Sequence, residues 1–262
     1  MGISDLIPGV SGGTIAFILG IYDQLLQSIS GFFSRDWKKH LNFLIPLGMG
    51  IGITLLFFSR VIDYLLEYHY EPTQFFFLGL IIGVLPFLAK QAEVKQRFTW
   101  KHYSSLLIVA ILLASLAFIS PQEALEITSL TMPSAIGLFL SGWVASMAML
   151  LPGISGSFIL LLLGVYSTVI SALSTLNIPI ILVVGAGVAI GFIVSSKAIS
   201  YLLQHFPYIT YAVIIGLIIG SIFAVFPGIP TSWGTMILCL ITFLAGLFVT
   251  VYFSSTPKAE KV

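Results

Sequence analysis

The chain has 262 residues, of which 58% are hydrophobic and 8% charged, with a formal net charge of +1 from eleven Lys+Arg and ten Asp+Glu. A soluble domain carries roughly a quarter charged residues to cover its surface, so this composition, with a mean hydropathy of +1.09, belongs to a polytopic membrane protein. It excludes a nucleic-acid binder, which needs a basic stripe to neutralise phosphates, and a lone Cys239 excludes an intramolecular disulfide or a thiolate metal site.

Met1 is followed directly by Gly-Ile-Ser-Asp, without the basic start of a cleavable signal peptide. An apolar stretch over 14–31 follows a Pro/Gly/Ser cluster. A membrane span needs about 20 mostly apolar residues, and clear candidates lie near 41–59, 74–89, 104–120, 178–196, 209–227 and 234–253. A longer apolar stretch, 134–173, is interrupted by a second Pro/Gly/Ser cluster. The connections alternate in charge. Arg35, Lys38 and Lys39 lie in 31–40, and Lys90, Lys95, Arg97 and Lys101 in 90–102. Asp63, Glu67 and Glu71 lie between them, with Glu123 and Glu126 further on. The positive-inside rule puts the basic loops and the C-terminus, with Lys258 and Lys261, in the cytoplasm. Ten of the eleven cations then fall inside, Arg60 being the exception. Trp37, Trp100 and Trp233 stand at span ends, as interfacial anchors do. The four histidines (His40, His69, His102, His205) lack the i, i+4 spacing of helical metal ligands, so neither a metal nor a cofactor is expected.

The chain repeats itself. Pro8-Gly9-Val10-Ser11-Gly12-Gly13, with Leu19-Gly20-Ile21-Tyr22, returns as Pro152-Gly153-Ile154-Ser155-Gly156-Ser157, with Leu163-Gly164-Val165-Tyr166. At this offset of 144, eight of the fifteen positions from 8 to 22 are identical. A second block matches at an offset of 137: Ser59-Arg60 with Ser196-Lys197, Tyr64-Leu65-Leu66 with Tyr201-Leu202-Leu203, and Gly79-Leu80-Ile81-Ile82-Gly83 with Gly216-Leu217-Ile218-Ile219-Gly220. Each half has three ordinary spans after its motif, and the motif element adds an even number of crossings. The repeat unit is therefore odd, and the second copy inserts upside down. The expected architecture is an all-α membrane protein of two inverted repeats, 1–130 and 131–262, each with a membrane-embedded, re-entrant helix break and three spans. Inverted repeats are the architecture of secondary transporters, with the substrate held where the halves meet. The second motif is preceded by the apolar segment 134–151 and the first by only seven residues, so the first hairpin reads as clipped by about fifteen residues.

A Pro-Gly-x-Ser-Gly cluster cannot continue a helix, because Pro lacks the donor and Gly favours other backbone angles. In lipid such a break is tolerated only where protein or water satisfies the freed backbone groups. The helices that follow, from about Thr14 and Phe158, would begin inside the membrane with unpaired N–H groups and the positive end of the helix dipole. Ser11 and Ser155 add hydroxyls, and Gly12, Gly13, Thr14, Gly156 and Ser157 keep the approach open. Two such breaks on opposed repeats make a candidate cradle for one phosphate; close helix packing is the plainer role for the same glycines. Arg60 and Lys197 are equivalent cations near span ends, placed to receive a headgroup from either leaflet or simply to snorkel. Asp5 is a candidate carboxylate for coupling to a proton or sodium gradient. Asp23, about 15 Å further along a helix than Gly13, is expected at headgroup depth.

With these residues in view, the sequence resembles the bacterial polyprenyl-phosphate transporters. The matching pieces are Asp5 to Thr14 (Asp-Leu-Ile-Pro-Gly-Val-Ser-Gly-Gly-Thr), Gly20 to Asp23, Leu151 to Ser157, Gly164 to Tyr166, and the two Ser-Arg/Lys…Tyr-Leu-Leu segments. The resemblance implies a non-enzymatic protein of the bacterial cytoplasmic membrane. It would translocate undecaprenyl phosphate from the outer to the inner leaflet, recycling the carrier for peptidoglycan and other envelope polymers, with membrane lipids as its surroundings. A lipid phosphate needs an anion site for its head and a lipid-open groove for its tail, and Phe75, Phe76 and Phe77 are candidates for the groove. Two alternatives share parts of this pattern. A transporter of a small soluble anion keeps the cradle and replaces the groove by an aqueous path. Undecaprenyl-pyrophosphate phosphatases also carry a Pro-Gly-x-Ser loop, but with an Arg in it. Ser11-Gly12-Gly13 and Ser155-Gly156-Ser157 carry none, and phosphoryl transfer without a cation clamp or general base is poorly catalysed.

Overall fold

The computed structural model describes residues 1–2, 11–32, 34, 36–116, 127 and 130–255, and the elements among them are all helical. They are α1 (Gly12–Ile18), α2 (Tyr22–Ser30), α3 (Trp37–Tyr68), α4 (Tyr70–Gln91), the single turn α5 (Val94–Arg97), α6 (Trp100–Leu116), α7 (Met132–Leu150), α8 (Gly156–Leu162), α9 (Tyr166–Ser174), α10 (Ile178–His205), α11 (Pro207–Val225) and α12 (Trp233–Ser255). Five of these, α4, α7, α10, α11 and Trp233–Phe253 within α12, are long and apolar enough to cross a membrane. The chain is a multi-pass membrane protein. The expected span at 41–59 lies within α3, a continuous helix of 32 residues that carries Pro46 in its third turn. The expected span at 104–120 is α6 as far as Leu116, its remainder lying outside the described residues.

Three pairs of helices hold the body together: α4 with α12, α7 with α10, and α6 with α11. Apolar surface gains little from leaving lipid, so such pairs depend on close backbone approach at small residues. That is what the glycines provide. A Cβ on Gly79 of α4 would run into the Phe243 carbonyl of α12, and one on Gly246 of α12 into the Phe76 carbonyl of α4. Gly187 of α10 is pressed in the same way against the Phe139 carbonyl of α7, and Gly216 of α11 lies against Leu106 of α6. Thr250 ties α12 to α4 by donating to the Leu80 carbonyl at 3.1 Å. One buried apolar cluster then runs through the middle of the molecule. It joins Ala16, Phe17, Tyr22, Leu25 and Leu26 to Ile62, Phe77, Val84, Leu150, Ile199, Ile214 and Ile218.

The two segments that carry the motifs have the same local geometry. Each has a helix of seven residues, a Gly turn, and a helix of nine residues that begins at a tyrosine, Tyr22 or Tyr166. The turn needs glycine, because Gly20 has φ +67° and Gly164 φ +69°, a region that side chains with a Cβ occupy at a cost. Both short helices start at a serine with extended backbone, two residues before the positions expected from sequence. A second likeness lies at the sharp turns α3–α4 and α10–α11. Thr73 donates to the His69 carbonyl at 2.7 Å, and Thr210 to the Phe206 carbonyl at 2.7 Å, each capping its own turn.

Candidate functional site

Helix α7 stops at Leu150, and Leu151, Pro152 and Gly153 break the run before α8. Gly153 has φ +90°, and a Cβ there would meet the Leu217 carbonyl of α11 at 2.7 Å, so the chain can turn here only without a side chain. The break leaves backbone carbonyls and an N–H without helical partners. Hydroxyls of the first motif supply them. Ser11 Oγ donates to the Leu151 carbonyl at 3.1 Å, and Tyr22 Oη donates to the Leu150 carbonyl at 2.9 Å. The Gly153 N–H donates to Thr14 Oγ1 at 3.0 Å. Ser11, Thr14 and Tyr22 are all buried, so in the absence of these bonds the broken backbone would be left unsatisfied in an apolar setting.

The approach is close enough to need the glycines that flank the serines. A Cβ on Gly13 would meet the Leu150 carbonyl at 3.0 Å, and one on Gly156 would meet Met149 Cγ at 2.5 Å. Ser11 also caps α1, accepting from the Gly13 N–H at 3.2 Å. The second motif differs in its chemistry. Ser155 Oγ and Ser157 Oγ lie 2.8 Å apart and hydrogen-bond each other. Two hydroxyls carry two protons, and this contact uses one of them. Where Ser157 stands, the first copy has Gly13, so the second break has a hydroxyl pair that the first cannot form.

The structure thus brings Ser11, Gly13 and Thr14 against the second break, near Ser155, Gly156 and Ser157 in the chain, with Gly12 buried beside them. Other expected residues lie apart or outside the described portion. Lys197 is exposed on α10, next to the buried Ser195 and Ser196. Arg60 lies within α3, and its side chain is outside the described residues, as are Asp5 and the Pro8-Gly9-Val10 segment. Asp23 is exposed in the first turn of α2. Of the three phenylalanines expected to line a groove, Phe76 and Phe77 line a cavity of about 610 Å³ between α3, α4 and α12, while Phe75 turns to Phe226, 6.1 Å between ring centres.

Tyr22 is the residue that sequence reasoning left out of the site. It is almost wholly enclosed, stacks on Phe17 with ring centres 3.9 Å apart, and bonds the second break. The signal was present, because a tyrosine stands at the same place in both copies. What the sequence lacked was the information that its hydroxyl reaches across to the other copy.

A bundle of apolar helices with a helix break whose backbone is hydrogen-bonded by side chains of another segment is the kind of body that membrane transporters use. The sequence model of the family described as "VCA0040-like: Undecaprenyl phosphate translocase-like" matches residues 1–237, and the chain belongs to that family. It is 47% identical over 259 residues to a protein of Staphylococcus aureus named polyprenyl-phosphate transporter, covering 96% of this chain and 92% of that one. It is 38% identical over 249 residues to a Vibrio cholerae protein of the same name, covering 89% and 77%. No solved structure gives a significant match. The family and both relatives are named for transport, and this chain is a transporter rather than an enzyme.

Proposed function

We propose that the protein carries undecaprenyl phosphate from the outer to the inner leaflet of the bacterial cytoplasmic membrane, recycling the carrier for peptidoglycan and other envelope polymers. The observation that carries the reading is the hydrogen bonding of the helix start after the first motif to the second Pro-Gly-x-Ser-Gly break, Ser11 with Leu151 and Thr14 with Gly153. Polar groups buried in an apolar membrane bundle are expensive and signal function. Relatives named polyprenyl-phosphate transporter give the substrate class. The phosphate is held at the second break by Ser155, Gly156 and Ser157, with Ser11, Gly12, Gly13 and Thr14 shaping its wall. Arg60 and Lys197 meet the headgroup in the two leaflets, and a carboxylate, Asp5 or Asp23, couples transport to a proton or sodium gradient.

The two halves, 1–130 and 131–262, act as inverted repeats with re-entrant motif hairpins. Several observations support this arrangement. The seven-plus-nine-residue helical hairpins match, and the helix pairings α4–α12 and α6–α11 exchange partners between halves as inversion requires. Arg97 lies over the Tyr208 ring at 5.9 Å, which places the basic turn after α4 beside the start of α11, on the side assigned to the cytoplasm together with the C-terminus.

The test uses purified protein in liposomes of phosphatidylethanolamine and phosphatidylglycerol that contain undecaprenyl phosphate. A membrane-impermeant reagent reports the leaflet of the headgroup, and a parallel set measures uptake of labelled inorganic phosphate. Protein-dependent movement of the lipid without phosphate uptake is expected. Phosphate uptake without lipid movement would replace this reading by that of a small-anion transporter.

A further inference from the structure

Resting on that reading, we infer that the cavity between α3, α4 and α12 binds the isoprenoid chain of the transported lipid phosphate. It measures about 610 Å³, within the range of roughly 300–1,000 Å³ typical of ligand sites. Its walls are hydrocarbon: Phe58, Val61 and Ile62 of α3, Phe76 and Phe77 of α4, and Ile241 of α12 are among them. The two hydroxyls in the wall are already committed to their own helices. Thr73 donates to His69 at 2.7 Å, and Thr242 to the Cys239 carbonyl at 3.1 Å. Apart from His69 at one end, the wall offers a polar solute little to replace its hydration, so the occupant is a hydrocarbon chain. Phe58, Val61, Leu238 and Ile241 are exposed on the rim, where the bilayer lies, which gives the chain a lateral way in. At one end His69 marks the α3–α4 turn, the depth of a headgroup.

The corresponding place in the other half is lined differently: Val61, Leu65 and His69 correspond to Ala198, Leu202 and Phe206, which are exposed. At the offset of 137, Ile62 and Phe77 correspond to Ile199 and Ile214. There α2 packs along α10, and Leu25 and Leu26 share the buried cluster with Ile199 and Ile214. Its counterpart α9 does not lie in the α3–α4 groove. It packs instead with α7 and α10, through Val165 and Ala172 against Leu138, Ile180 and Val184. The helix α2 thus covers the Ile199 side of α10, while α9 leaves the α3–α4 groove uncovered. The floor residues Ile62 and Phe77 belong to the buried cluster that also holds Ala16, Phe17, Tyr22 and Leu150 beside the second break. A chain lodged in the groove is therefore continuous with the packing that surrounds the proposed phosphate site.

The experiment reconstitutes the full chain with a polyprenyl phosphate that carries a diazirine on an isoprene unit near the phosphate, and maps the adducts. Labelling of α3, α4 and α12 at groove residues is expected, and an excess of undecaprenyl phosphate should suppress it at least about tenfold while phosphatidylglycerol does not. Ala245→Trp, which fills the groove, should slow leaflet transfer about tenfold. Leu240→Trp, on the exposed side of α12 away from the groove, should leave transfer unchanged. Suppression by phosphatidylglycerol to the same extent would make the groove a site for bulk lipid and overturn the inference. So would adducts confined to other helices, or wild-type transfer by Ala245→Trp; in each of these cases lipid transport by the wild type would still stand. A wild type that moves no polyprenyl phosphate would bring down the function and the groove together.

Discussion

Helices α3 and α10 are related in sequence, yet they live in different surroundings. On α10, Gly187 and Gly191 are pressed against α7, where added Cβ atoms would strike the Phe139 carbonyl and, at 2.8 Å, the Trp143 carbonyl. On α3, Gly50 stands at the position of Gly187, and a Cβ there would have no atom within 4 Å. Gly2 lies against α3 at Ile51 and Thr54. A small-residue stripe is thus a capacity for helix packing, and a partner decides whether it is used.

The sharpest way to break this comparison is to add one methyl group at matched sites. Gly187→Ala should cost about 2–3 kcal/mol, because backbone rather than a flexible side chain must yield. Gly50→Ala should be neutral or stabilising by up to about 1 kcal/mol, since alanine is the better helix former and meets nothing. Thermal melting in detergent, followed by the monodisperse fraction that remains, reads both. Equal losses at the two sites would mean that α3 is packed as tightly as α10.

A second pair sharpens the contrast between the two motifs. Thr14→Val leaves the Gly153 N–H buried without its acceptor and should cost about 1–3 kcal/mol. Tyr22→Phe removes the donor to Leu150 and should cost about 1–2 kcal/mol. Tyr166→Phe, at a tyrosine that is 36% exposed, should stay within about 0.5 kcal/mol of the wild type. A loss at Tyr166 equal to that at Tyr22 would show that both tyrosines hold the break of the opposite copy.

Much of this was legible in the sequence, for physical reasons that differ from part to part. The span pattern follows from lipid as solvent, which demands long apolar helices, and α4, α7, α10, α11 and α12 comply. The breaks were legible because Pro152, Gly153 and Gly20 forbid or redirect a helix wherever they stand. Partners were not legible. Nothing in Ser11 or Tyr22 announces that their hydroxyls point to carbonyls about 130 to 140 residues away, and nothing in the Phe75-Phe76-Phe77 run says that only the last two face a groove. Ser11 is the instructive case. Read alone it is a ready phosphate donor, but in the fold its proton goes to Leu151, which moves the proposed phosphate contact to the Ser155–Ser157 pair.

That shift can be measured directly. The rate of undecaprenyl phosphate transfer between leaflets should be compared for wild type and Ser155→Ala/Ser157→Ala in liposomes with equal amounts of folded protein. The account predicts a fall of about tenfold or more, the loss of one charge-assisted hydrogen bond to a phosphate, with a melting temperature close to that of the wild type. Transfer at the wild-type rate by the folded double variant would contradict a phosphate site at the second break.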